Sequence, residues 1–314
     1  MSLHPTVTII MATYNRAHFI EESLLSILNQ AFTNWECLII DDGGTDNTSE
    51  IIALFSEHDS RFQFLKRPDS YKKGLPGCRN YGLDLAQGDY VIFFDDDDFV
   101  HPDNLKICLK ELDDSLKDFC HYQKLSYSDV KPKFKNAIVK ERKSIDKTAI
   151  EKVITQEIGL ASCTVLWRKH CFNQVRFNEN LLYAEEWECY SKLITHNFNG
   201  VIIDTVLYYN RKHADSNTAA FYSCNPIRID STVQAILLVL QNLKEKKLLT
   251  YSLKKYFILN SVKYKEYNLF DQILKELELS LFEKIQWQFF YKLIPLRLCL
   301  FGMWNRFKKD RIKK

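Results

Sequence analysis

"YVIFFDDDDFVHP", Tyr90–Pro102, sets a short apolar run directly in front of four aspartates. Every position from Tyr90 to Phe94 is aromatic or β-branched, as expected of a strand buried on both faces of a sheet. Asp95, Asp96, Asp97 and Asp98 repel one another at its end, so the stretch calls for a positive partner. A hard divalent cation fits that description, since Mg²⁺ and Mn²⁺ take oxygen ligands from one or two carboxylates. Alternation along a strand end lets Asp95 and Asp97 point into one crevice, with Asp96 in another role and Asp98 turned away. The competing reading is a solvated acidic turn at the start of the following helix, a task for which two acids suffice.

The same grammar extends on both sides. "TVTIIMA" (6–12), "WECLIIDD" (35–42) and "RFQFLKR" (61–67) read as further strands. Between them "FIEESLLSILNQ" (19–30), "DNTSEIIALFSEH" (46–58) and the end of "GLPGCRNYGLDLAQG" (74–88) read as helices, and "HPDNLKICLKEL" (101–112) follows the aspartates. Alternating strands and helices predict an α/β fold with a mostly parallel central sheet and helices on both faces. In such sheets ligands bind beyond the carboxyl ends of the strands. From about 119 the pattern loosens into strands at 119–130, 158–169 and 200–212, with a helix at 185–196. The polar, lysine-rich stretch 130–147 reads as a mobile loop and a candidate lid. Beyond 225 the chain is helical. The expected division is a catalytic, nucleotide-binding domain at 1–224 and a helical accessory region at 225–314.

Composition narrows the classes. The 314 residues are 46% hydrophobic, and the net charge of +3 is too small to suggest nucleic-acid binding. Nine cysteines are scattered without zinc spacing, as for buried thiols in a reducing compartment. The N-terminus has no secretory pattern and no apolar run is long enough to cross a bilayer, so the expected location is cytoplasmic, with room for contact at the membrane's inner face. No GxGxxG follows the first strand, and neither GxxxxGK[ST] nor GxSxG occurs.

Polar residues gather after the strands. In "ATYNR" (12–16), Tyr14 offers a flat face and Arg16 a charge. In "DDGGTDNTSE" (41–50) a carboxylate can accept a ring N–H, although turn and cap chemistry alone also accounts for the segment. Arg79 can pair with a phosphate or with a nearby aspartate. Glu185 and Glu186 open a helix, either as dipole partners or as a proton acceptor. His213 follows the last strand.

Together these stretches resemble the family 2 glycosyltransferases, inverting enzymes of the GT-A fold that use nucleotide sugars. The resemblance runs through 6–105 and continues more weakly through "ASCTVLWRKHCF" (161–172), "EEWECYSKL" (185–193) and "YNRKH" (209–213). It implies a UDP-sugar donor, a divalent metal (Mn²⁺ or Mg²⁺) and a saccharide or lipid-linked acceptor. It further implies that Ala12, Thr13 and Tyr14 flank the base, with Arg16 nearby, that Asp42 accepts the uracil N–H, and that Arg79 lines the nucleotide pocket. Asp97 is the implied metal ligand, joined by Asp95 and, as in some members, His213. Asp95 or Asp96 would reach the ribose or the metal's waters, and Glu186 would be the base. Three departures stand out: Glu186 replaces the usual aspartate, Gly44 the usual serine, and no proline precedes "TYN". A metal-dependent nucleotidyl or phosphoryl transferase remains an alternative, as does a nucleotide-sugar-binding protein without catalysis. The end of the chain, "WQFFYKLIPLRLCLFGMWNRFKKDRIKK" (287–314), joins apolar and basic residues, which suits peripheral membrane contact through 293–314 or packing on the domain or on a second copy.

Overall fold

The computed structural model describes residues 4–128, 130–213, 221, 223, 225–263 and 267–294. In chain order the elements are β1 (Val7–Thr13), α1 (Ile20–Leu28), β2 (Trp35–Asp41), α2 (Thr48–His58), β3 (Phe62–Lys66), α3 (Leu75–Leu85), β4 (Tyr90–Asp95) and β5 (Phe99–Val100). They continue as α4 (Asn104–Ser115), β6 (Phe119–Tyr127), β7 (Arg142–Ile145), α5 (Ile150–Ile154), β8 (Val165–Arg168), α6 (Glu185–Thr195) and β9 (Gly200–Arg211). Four helices close the described chain: α7 (Pro226–Glu245), α8 (Tyr251–Lys263), α9 (Tyr267–Glu276) and α10 (Leu281–Lys292).

One sheet organises the first unit, in the order β3-β2-β1-β4-β8-β6-β9-β5, with β7 paired to β9. The β3-β2-β1-β4 half is parallel, as its apolar strands predict. Strand order reverses between β1 and β4, the place where such sheets open a crevice. Register puts Ala12 beside Asp95 and Thr13 beside Asp41, so three strand-end motifs converge there. Side chains alternate between two cores. Ile9, Met11, Cys37, Ile39 and Ile92 face α1 and α4, while Leu38, Ile40 and Ala12 meet Cys78 and Tyr81 of α3. Gly82 brings α3 close to β1: a Cβ there would lie 2.5 Å from Ile10 Cγ2.

The second half is mixed. β8 runs antiparallel to both β4 and β6, and β6 is parallel to β9 with register shifts between His121 and Lys124. The aspartate run does not cap a helix. It leaves β4 in mid-sheet and enters β5 at the far edge, where Phe99 stacks on Tyr209 with ring centroids 4.8 Å apart.

The expected mobile loop at 130–147 is corrected. Residues 142–145 form β7, and Arg142 makes two 2.7 Å bonds to Glu111. The preceding stretch is strapped down as well: Lys135 O meets His101 Nε2 at 2.9 Å, Ile138 O accepts from Thr205, and Asp204 accepts the Lys140 and Glu141 N–H groups. Ala137 and Val139 pack against the core.

By its internal contacts the chain forms two compact units, 1–242 and 243–314. The second unit has its own apolar centre, including Phe257, Phe270 and Ile273. Seven described cysteines are buried free thiols.

Candidate active site

Two strand-end loops clasp each other first. Asn15 adopts φ +54°, a left-handed conformation that asparagine tolerates, and its Oδ1 accepts from Thr45 N at 2.7 Å and Asp46 N at 3.3 Å. In return Arg16 N donates to Thr48 Oγ1 (2.8 Å) and Ala17 N to Asp46 Oδ2 (3.1 Å). A Cβ on Gly44 would sit 3.2 Å from both Asn15 Oδ1 and Asp41 Oδ1, so the glycine in place of serine leaves this clasp room. The result presents Tyr14 at 45% exposure, with Lys73 Nζ 4.8 Å from its ring centre.

Asp42 comes with a partner that the motif does not contain. Arg67, directly after β3, donates through Nε to Asp42 Oδ1 at 2.7 Å, and Gly74 N adds a 3.1 Å bond to the same oxygen. Arg67 was within reach of sequence reasoning, because it too follows a strand.

The four aspartates separate by environment. Asp98 is buried and accepts from Arg211 N (2.7 Å) and Asn210 Nδ2 (3.0 and 3.2 Å), stapling the β4–β5 turn to the end of β9. Asp97 Oδ2 meets His213 Nε2 at 2.9 Å. Asp96 lies 3.4 Å from Arg16 Nε, and Asp95 lies 3.6 Å from Arg79. Burial first, then the charges of Asp97 and Glu186, pushes Asp95 up to about 6 against the pull of Arg79. Burial and Asp97 push Asp96 up to about 7, with Arg16 opposing.

Arg79 is buried and central. It donates to Glu185 Oε1 at 3.0 Å and Ser162 Oγ at 2.8 Å, while Phe177 and Phe93 lie against its guanidinium. Arg79 lines the cavity and bridges acids from α6 and β4, the ion-pair reading of its sequence position. Glu185 is spent on that bridge, and burial raises its pKa. Glu186, one residue on, lines the cavity, with Oε2 held by Ser162 N at 2.9 Å.

The loop ahead of this pair is held in an uncommon conformation. Ala184, without the freedom of glycine, has φ +62°. Ser231 Oγ pins its neighbour, accepting from Tyr183 N (2.9 Å) and donating to Tyr183 O (2.7 Å), and Arg228 donates to Leu182 O. Ser231 and Arg228 belong to α7, in the stretch expected to be accessory.

These walls enclose a cavity of about 610 Å³. Ala12, Thr13, Tyr14, Arg16, Asp42, Arg79, Asp95, Asp96, Asp97 and Glu186 all line it. His213 reaches it through Asp97. Sequence reasoning missed Lys124, Asn210, Arg211 and Arg228 on its lining. Arg211 Nε holds Asp97 O at 3.0 Å, its guanidinium also bonds Glu22, and it lies 4.7 Å over the Phe19 ring. Asp95, Asp97 and His213 offer hard oxygens and an imidazole, donors suited to Mn²⁺ or Mg²⁺, but their ligand atoms do not all gather within 4.8 Å of one another; among the described residues Asp95 groups with Asp98 and Cys163 instead. Two features fit a cation there: carboxylates whose pKa is raised by burial and by one another's charge, and a buried His213 Nδ1 without a hydrogen-bond partner among the described residues.

The family model for glycosyl transferase family 2 matches residues 8–173. A Haemophilus influenzae protein named as an uncharacterized glycosyltransferase is 41% identical over 102 residues, covering 32% of this chain and 40% of that one. Escherichia coli WfgD, named as a UDP-Glc:alpha-D-GlcNAc-diphosphoundecaprenol beta-1,3-glucosyltransferase, is 32% identical over 171 residues, 54% of this chain and 63% of WfgD. The chain thus spans less than two thirds of the length of these relatives. Among solved structures, Staphylococcus aureus TarS 1-349 with UDP-GlcNAc aligns with TM-score 0.64 at 19% identity, over 90% of this chain and 78% of that one. A Pyrobaculum calidifontis mannosyltransferase with GDP-Man and Mn²⁺ aligns with TM-score 0.56 at 15% identity, over 93% and 84%. At these identities the structural likeness speaks for the fold, which is the expected GT-A arrangement. With more than half of its length matched by the family model, the chain belongs to glycosyl transferase family 2.

Proposed function

We propose that the protein transfers a sugar from a UDP-sugar to a hydroxyl of a saccharide or lipid-linked saccharide, with a divalent metal and with inversion at the anomeric carbon. One observation carries this reading: Asp95, Asp96 and Asp97 line the same cavity as Glu186, with Asp97 bonded to His213 and Glu186 to the Ser162 N–H. The named substrates of WfgD and the nucleotide sugar of the TarS complex support the donor class.

In this reading Tyr14 stacks on the base, and Asp42, steadied by Arg67, accepts its ring N–H. Asp97, Asp95 and His213 would hold the metal, which when bound neutralises charge growing on the diphosphate. Glu186 takes the proton of the acceptor hydroxyl. The Ser162 N–H on one carboxylate oxygen fixes where the other points. The acceptor oxygen bonds to the anomeric carbon as the bond to the diphosphate breaks on the opposite face. Arg79 keeps Glu185, the chain neighbour of Glu186, in place.

The product distinguishes this reading from nucleotidyl or phosphoryl transfer. Incubation with a panel of UDP-sugars and Mn²⁺ is expected to release UDP. Release of pyrophosphate or phosphate instead, or no metal-dependent release from any donor, would overturn the proposal.

A further inference from the structure

Helix α10, in the second unit, carries an exposed apolar stripe. Leu281 and Phe282 are each 76% exposed, Ile285 56% and Phe289 64%, and the helix has no buried residue at all. At 100° per residue the four fall within an arc of about 100°, the width of the face a helix normally buries. Lys292 closes the same arc, one turn beyond Phe289.

The helix itself is well made. Ser280 and Glu283 form a reciprocal capping box, with Ser280 N donating to Glu283 Oε2 at 2.9 Å and Glu283 N to Ser280 Oγ at 3.3 Å. Its other side is anchored: Tyr291 packs on Phe270 of α9 with ring centroids 4.3 Å apart. A capped helix, fixed along one side, presents phenylalanines along the other.

We infer that this stripe docks on an anionic lipid surface, lying in the headgroup region. Charge selects this occupant. The stripe ends at Lys292, and the sequence beyond it, 295–314, lies outside the described residues but holds seven Lys or Arg against the single Asp310. Lys292 beside exposed Phe and Ile, with a basic run following in sequence, matches headgroup charge and acyl chains. At 12 residues α10 is too short to span a bilayer, which needs about 20, so it lies along the surface. No described helix is long and apolar enough to cross a membrane.

Co-sedimentation of the full chain with phosphatidylcholine vesicles, with and without phosphatidylglycerol, tests this. The wild type is expected to pellet with the anionic vesicles and to be released by salt. The triple variant Phe282→Ser, Ile285→Ser, Phe289→Ser is expected to lose about tenfold or more of the bound fraction. Its circular dichroism should be unchanged, because the replaced side chains are exposed. Equal pelleting with neutral and anionic vesicles, or equal binding by the triple variant, overturns the inference. A wild-type dimer that the triple variant splits, without vesicle binding by either, makes the stripe a self-association face and also overturns it.

Discussion

Asp97 and Asp98 are adjacent in the chain, and so are Glu185 and Glu186, yet within each pair the two carboxylates do different things. In the β4–β5 turn, Asp98 is consumed by Asn210 and by the Arg211 backbone, while Asp97 faces the cavity with His213. At the start of α6, Glu185 is consumed by Arg79, while Glu186 lines the cavity on the Ser162 N–H. Each wall thus ties up one acid in the protein's own contacts and presents the next to the cavity. Runs of like residues at strand and helix ends need not be redundant. Their division of labour is set by which neighbours the fold brings in.

The division can be broken from the side presented to the ligand first. Asp97→Asn is expected to lower UDP release roughly a hundredfold or more and to raise the Mn²⁺ concentration for half-maximal rate. An unchanged Mn²⁺ curve would move the metal site elsewhere. Arg79→Met attacks the structural side: it strands Glu185 as a buried, unpaired charge, at a cost of about 3–5 kcal/mol in denaturant unfolding. Adding Glu185→Gln should recover part of that loss, and no recovery would mean that the pair is not coupled. Tyr14→Ala touches neither carboxylate pair. It should weaken UDP binding about tenfold, the order expected for one lost stacking partner, and leave Tm in place. Equal UDP affinity would remove Tyr14 from the base site.

Proton linkage gives an effect of definite sign. Asp95 and Asp96 titrate near 6 and near 7 in the fold, above the ordinary value of about 4 for the unfolded chain. Between pH 4 and 7 the folded protein therefore binds more protons, and stability of the metal-free protein falls as pH rises through that window. Mn²⁺ should flatten the fall. A metal-free Tm that rises steadily from pH 5 to pH 8 would mean that these acids are not crowded.

Much of the first half was legible because its signals are local. β1, β2 and β4 announce themselves as apolar runs, and a parallel sheet then places "TYNR", "DDGG" and the aspartates at one edge. The rest depends on pairings across long stretches of chain. Lys124 and Arg211 enter the site because β6 and β9 run side by side. Ser231, on what looked like an accessory helix, braces Tyr183 from 48 residues away. The 130–147 stretch looked mobile because its lysines mask the few contacts that hold it, among them Arg142 on Glu111 and Phe134 in T-shaped contact with Phe99. The tail at 295–314 lies outside the described residues.

The most direct test sets Glu186→Gln beside Asp98→Asn, measuring UDP release per folded molecule and Tm for both. Glu186→Gln is expected to lose activity by about 10²–10⁴-fold, the usual worth of a general base, with Tm unchanged. Asp98→Asn is expected to lower Tm, because an amide replaces an acceptor of two donors, and to keep its rate per folded molecule within about threefold. A Glu186→Gln enzyme of full activity, or an Asp98→Asn enzyme that stays folded but is inactive, would contradict the division of labour between these carboxylates.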